Sequence, residues 1–142
     1  MTATRLNPVY ASASHTHAAS TITNLGTVVT KDCGSTATAT STGKSIGSVS
    51  LAAGTWIVVG TAWFAANATG RRYVKLSPTS GDIGTGQAFA ALSPSGFSSG
   101  NPATTVVRVV ELSATTSIHL NVWQNSGGNL NAAGYIAALR IK

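Results

Sequence analysis

Apolar segments recur along the second two-thirds of the chain with turn residues between them, at residues 45–51, 55–64, 71–77, 104–112, 117–124 and 134–141. Their lengths and their Val, Ile, Thr and aromatic content predict strands. A weaker candidate lies at 87–92. Within three of these segments the side chains alternate, but both sets are apolar. Over 55–64, Trp56, Val58, Ala62 and Phe64 share one parity, and Ile57, Val59 and Trp63 share the other. Over 104–112, Val106, Val110 and Leu112 oppose Val107 and Val109, and over 134–141, Tyr135, Leu139 and Ile141 oppose Ile136. The pattern predicts an all-β, antiparallel two-sheet sandwich, which needs only one buried face per strand. With no helix segments to lay over the second face, a neighbouring subunit is the natural cover; a closed monomeric barrel with aliphatic patches is the alternative.

The connections at 65–70, 113–116 and 125–133 read as turns, whereas Pro78 to Ala103 is long and rich in Gly, Ser and Pro, as variable surface loops are. Residues 1–44 differ in kind. They are rich in Thr, Ser and Ala, broken by Asn7-Pro8, Gly26, Gly34 and Gly43, with only Thr27-Val28-Val29-Thr30 strand-like. Two parts are therefore expected: an extended low-complexity lead, 1–44, and a head domain, 45–142.

Composition sharpens this picture. Charged residues are 8% of the chain against roughly 25% in an average soluble protein, and 15 Gly accompany many β-branched residues, which disfavours helix. The single cysteine, Cys33, excludes an intrachain disulfide, and Met1-Thr2-Ala3-Thr4-Arg5 lacks the apolar core of a signal peptide, so assembly in a reducing cytoplasm is expected. Apolar runs such as Trp56-Ile57-Val58-Val59 are too short for a membrane-spanning helix, so the protein is not expected to be membrane-embedded. A net charge of +6 per chain favours approach to an anionic surface at low salt.

The order of Ser48-Val49-Ser50-Leu51-Ala52-Ala53-Gly54-Thr55-Trp56, then Val109-Val110-Glu111-Leu112, then Ile118-His119-Leu120-Asn121-Val122-Trp123-Gln124, and finally Ala137-Ala138-Leu139-Arg140-Ile141 resembles a known pattern. It is similar to the trimeric jelly roll of tumour necrosis factor and complement globular heads. The resemblance spans residues 45–142 and implies a jelly roll, a homotrimer, and a final strand in the trimer interior. The Gly-Asp that often opens that family's next-to-last strand is replaced here by Thr115-Thr116, so no role of that Asp carries over. Separately, Ser14-His15-Thr16-His17-Ala18-Ala19-Ser20 resembles the His-x-His stretches of tailed-phage tail fibres, which precede distal receptor-binding parts. Alternate residues of an extended chain point the same way. Three chains would thus aim six imidazoles at one axis, a set suited to one iron, zinc or nickel ion per trimer at His15 and His17; two solvated histidines in a flexible lead are the other reading.

Apparent catalytic motifs fail on context. Gly96-Phe97-Ser98-Ser99-Gly100 matches G-x-S-x-G, but Ser93-Pro94-Ser95 before it and Asn101-Pro102 after it supply neither strand nor helix. Gly43-Lys44-Ser45 ends like a phosphate-binding loop, yet the required first glycine is Thr38. The carboxylates Asp32, Asp82 and Glu111 are scattered, so a glycosidase pair within one chain is not expected. Asn67-Ala68-Thr69 is a formal glycosylation sequon that reads as a turn.

The reading reached is a non-catalytic, trimeric receptor-binding head at the tip of a phage or phage-like tail fibre, attaching to a bacterial cell-surface saccharide. Its partners are itself, an envelope glycan, and the remainder of the fibre or baseplate, with no nucleic acid. The alternative is a structural trimer, a capsid or tail decoration or a fibre trimerisation domain. Receptor contact is expected on loops, at Phe89, Phe97, Asn125, Ser126, Asn129 and Asn131. The basic cluster Arg71, Arg72 and Lys75 is the alternative site, with Arg72 on the same strand face as Val74 and Leu76.

Overall fold

The computed structural model describes residues 26–84, 89–93 and 99–142. Eight strands follow in order: β1 (Val28–Thr38), β2 (Lys44–Leu51), β3 (Gly54–Phe64), β4 (Arg72–Ser77), β5 (Phe89–Leu92), β6 (Ala103–Leu112), β7 (Thr116–Gln124) and β8 (Leu130–Arg140). They form two four-stranded sheets, β1-β8-β3-β6 and β2-β7-β4-β5, in which every pairing is antiparallel. The chain changes sheet at every connection but β4 to β5, so nearly all pairing is long-range and the architecture is jelly-roll-like. Among the described residues no helix is long and apolar enough to cross a membrane.

The period-two pattern fixes the core. Trp56, Val58, Ala62 and Phe64 of β3 are buried, alternating with the half-buried Ile57, Val59 and Trp63 as the parity predicts. They meet Val74, Leu76, Ile118, Leu120 and Val122 from the opposite sheet. Gly134 lets β8 lie close against β3, because a Cβ there would stand 2.5 Å from the Thr61 carbonyl oxygen.

The first strand departs from expectation. Val28–Thr38 pairs with β8 from Val28 opposite Leu139 to Thr38 opposite Leu130, with an irregularity between Cys33 and Thr36. A boundary at 44/45 would cut through this sheet, and the jelly roll starts at Val28. Cys33 is buried against β2, and burial pushes its thiol pKa up, which holds it in the unreactive protonated form.

Strand direction gives the molecule two poles. At one, Gly26 donates to the Arg140 carbonyl and Thr55 to that of Lys142, so both ends of the described chain lie together. At the other, the turns after β1, β3, β5 and β7 converge: Ser41 donates to the Gln124 carbonyl, Phe64 to that of Pro102, and Ala65 to that of Asn131.

The outer faces differ sharply. Among the described residues the large exposed hydrophobics, Val28, Val107, Val109, Tyr135, Leu139 and Ile141, all belong to the β1-β8-β3-β6 sheet or its immediate continuation, with Val28, Val107 and Val109 each more than half exposed, at 62%, 57% and 58%. Register brings them together with the half-buried Ile57 and Val59: Ile57 lies opposite Val109 and Leu139, and Val59 opposite Val107 and Ala137. The outer face of the other sheet carries Ser48, Ser50, Ser117 and His119.

Candidate functional site

The pole opposite the chain ends is held rigid by buried polar side chains. Gln124 is fully buried; its Nε2 donates to the carbonyls of Thr38 (3.0 Å) and Gly128 (2.7 Å), and its Oε1 accepts from the backbone N–H (2.7 Å) and hydroxyl (2.6 Å) of Ser126. One amide therefore fixes the turn at 125–129 against the end of β1. Asn125 accepts the Arg71 N–H through Oδ1. Gly70, at φ 79°, packs where any Cβ would strike the Asn125 carbonyl.

These contacts divide the loop residues expected to meet a receptor. The Asn125 Oδ1 and the Ser126 hydroxyl are engaged in holding the turn, whereas Asn129 and Asn131 are exposed. Phe89 stands on β5 instead of a loop, in an aromatic row across the outer face: its ring centroid lies 5.0 Å from that of Tyr73, which stacks on Trp123 at 4.7 Å and 13°. Phe97, His15 and His17 lie outside the described residues. Among the described residues no group of three or more His, Cys, Asp or Glu side chains could hold a metal.

The basic cluster does not form a patch. Arg71 is exposed, but Arg72 is wholly buried on the inner face, its guanidinium 5.8 Å from the Phe64 ring centroid. Strand alternation sends Arg72 inward with Val74 and Leu76, as its parity predicts. Lys75 points outward but is covered. Its Nζ pairs with Asp82 at 2.9 Å and donates to the Gly84 carbonyl at 2.7 Å. Arg108 is turned to the sheet edge, donating to the Leu76 carbonyl at 3.0 Å, and Arg140 lies 6.0 Å from the Trp56 ring.

The cover over Lys75 is residues 78–84, the first part of the expected Pro78 to Ala103 loop region, folded across the outer face as a strap. Asn121, fully buried, donates to the carbonyls of Thr79 (2.8 Å) and Asp82 (3.0 Å) and accepts from the Gly81 N–H (2.9 Å). Asp82 also accepts from the Ser77 hydroxyl (2.7 Å) and the Gly84 N–H (3.0 Å). Hydrogen bonds from Lys75, Ser77 and Gly84 hold the Asp82 carboxyl down at about 2. A carboxyl depressed in the folded state stabilises above its unfolded pKa of roughly 3.9 and loses that contribution as pH falls through its folded value. Wild-type protein is therefore expected to melt above an Asp82→Asn variant at neutral pH, with the gap closing between about pH 4 and pH 2. Equal melting temperatures at pH 7 in differential scanning calorimetry would refute this role.

No family model and no curated protein matches the chain. Among solved structures it is similar to that of the infectious bursal disease virus Gx strain, with a TM-score of 0.56 and 14% identity, and to the crystal structure of the infectious bursal disease virus VP2 subviral particle, at 0.52 and 16%. In both cases 81% of this chain and 33% of the other is covered, so the chain spans about a third of the length of these relatives. At this identity the likeness is one of fold.

Proposed function

We propose that the protein is a homotrimeric, non-catalytic head on a virion, of the phage tail-fibre type, which attaches to a bacterial cell-surface saccharide. The observation that carries the reading is the gathering of the large exposed hydrophobics among the described residues onto the outer face of one sheet. A contiguous apolar patch on a stable domain marks an association surface, and a second and third copy of the same chain are its occupants. A two-sheet jelly roll with the last strand inside the apolar sheet, β1-β8-β3-β6, supports a subunit contact on that sheet.

Polarity supports the attachment half of the reading. Chain entry and exit share one pole, which leaves the opposite pole, with its pinned turns and exposed asparagines, facing away from a shaft. Neutral amides and hydroxyls suit sugar hydroxyls in both donor and acceptor roles. Three copies on one rigid head would add avidity on a repeating polymer. The lead is proposed to carry one transition metal per trimer at His15 and His17.

The test is binding of fluorescently labelled full chain to a panel of intact bacteria and to their extracted envelope polysaccharides. Selective retention on some envelopes, without shortening of the polymer, is expected. A structural decoration would ignore all envelopes and bind only virions or its parent shaft, and a depolymerase would shorten the chain; either outcome overturns the proposal.

A further inference from the structure

The outer face of the β1-β8-β3-β6 sheet is not apolar along its whole length. Its aliphatic part ends at a polar row, where the Thr61 and Thr105 hydroxyls lie 2.8 Å apart and Tyr135 faces Asp32 across the β1–β8 pair. Beyond that row, at the pole away from the chain ends, stands Trp63. It lies opposite Ala103 on one neighbouring strand and Ala133 on the other, so both of its directly paired neighbours are small. The irregularity of β1 between Cys33 and Thr36 places Ser35 at the same spot.

The result is a hollow of about 220 Å³ lined by Trp63, Asn101, Asn131 and Ser35, with Ala65, Ala132 and Ala133. The Trp63 indole N–H and the side-chain amides of Asn101 and Asn131 make no hydrogen bond within the described residues. That sets them apart from Asn121 and Gln124, whose amides are spent inside the fold, and from Asn125, whose Oδ1 accepts the Arg71 N–H. Among the described residues that line the hollow none is charged.

We infer that this hollow is a binding site for one neutral hexose unit of a polysaccharide, with Trp63 as the platform and Asn101 and Asn131 as the hydroxyl-reading groups. The inference rests on the saccharide-attachment reading above and gives it a place and a ligand class. An indole combines an apolar face with a polar N–H, which matches a pyranose that has both C–H and O–H surfaces. Uncommitted amides supply donors and acceptors, and the absence of a cation disfavours a uronic acid. The volume lies below the roughly 300–1,000 Å³ of sites for drug-sized ligands, so one ring enters and the polymer continues outside. The hollow lies on the same sheet face as the proposed subunit contact, with the Thr61 and Thr105 hydroxyls between Trp63 and the aliphatic residues Val59, Val107 and Val109, so a change of particle mass separates a subunit contact from a sugar site.

The experiment titrates the full chain with methyl glycosides of glucose, galactose, mannose, rhamnose and N-acetylglucosamine, with glucuronic and galacturonic acids as charged controls. Saturation-transfer NMR reads binding, light scattering reads mass, and polysaccharide retention is measured alongside. At least one neutral glycoside is expected to bind, with affinity reduced tenfold or more in both Trp63→Ala and Asn131→Ala at unchanged mass. Asn131 is exposed, so its variant tests the site even if Trp63→Ala fails to fold. Neutral sugar bound equally well by both variants, tighter binding of the acids, or polysaccharide retained without any neutral glycoside binding would overturn this site and leave the attachment reading standing. A Trp63→Ala effect confined to mass would make the residue a subunit contact only and also overturn the site. Loss of both glycoside and polysaccharide binding in the wild type would overturn the site and the attachment reading together.

Discussion

Replacing Val107 and Val109 together with Asp is expected to leave a folded monomer. Both residues lie on β6 with side chains pointing away from the core and more than half exposed in the single chain. Surface substitutions of this kind usually change the stability of a domain by within about 0.5 kcal/mol. In an assembly built on this face the arithmetic differs, because each carboxylate would enter an apolar contact without a partner, at a penalty of several kcal/mol per ion. Val109 sits beside Ile57, and Ile57 beside Leu139, so the charge falls in the middle of the patch. Circular dichroism should keep the β signature while scattering mass falls to one chain. A double variant that keeps the wild-type mass would move the subunit contact to another face.

Arg72→Ala is expected to cost about 3–5 kcal/mol of folding stability, the range found when a buried charged group is cut from its partners or a large core side chain is truncated. Among the described residues the guanidinium has no carboxylate partner. Its charge is met instead by three carbonyls of the β3–β4 turn and its own start: Nη1 donates to Thr69 (2.9 Å) and Arg71 (3.1 Å), and Nη2 to Asn67 (3.2 Å). The Phe64 ring lies beneath it, and the Nε is one of two buried side-chain nitrogens without a hydrogen-bond partner among the described residues. Burial lowers its pKa, but from an ordinary value so high that the group stays charged at neutral pH. Truncation leaves a cavity against Phe64 and frees the turn that anchors Asn125. Arg72→Met, which restores volume and not the hydrogen bonds, should recover only part of the loss. Urea unfolding at pH 7 measures both; an Arg72→Ala loss below about 1 kcal/mol would contradict the role, since that is within the ordinary scatter of point substitutions.

The legible parts of this molecule are those set by strand alternation. The two apolar parities of β3, β6 and β8 survive intact in the fold, and the same rule turns Arg72 inward. The strap at 78–84, within Pro78 to Ala103, is not legible in its own residues, because Asn121, 40 residues beyond Gly81, pins it. Density of basic residues suggested a patch, yet one inward side chain and one strap remove two of its three members. β1 carries Lys31-Asp32 and Gly34-Ser35 on an edge strand, so its strand character comes from pairing with β8 and not from its own residues. Asn125 and Ser126 look like free loop amide and hydroxyl until Arg71 and Gln124 are placed beside them. Trp63 shows its surroundings only once the register sets alanines on both flanks.

The central claim is that the apolar sheet face belongs to a threefold contact between copies of this chain. Size exclusion with light scattering on the full chain at micromolar concentration tests it most directly. Three chains per particle are predicted. A stable, folded single chain at that concentration, with Val107, Val109 and Leu139 left open to water, would contradict it.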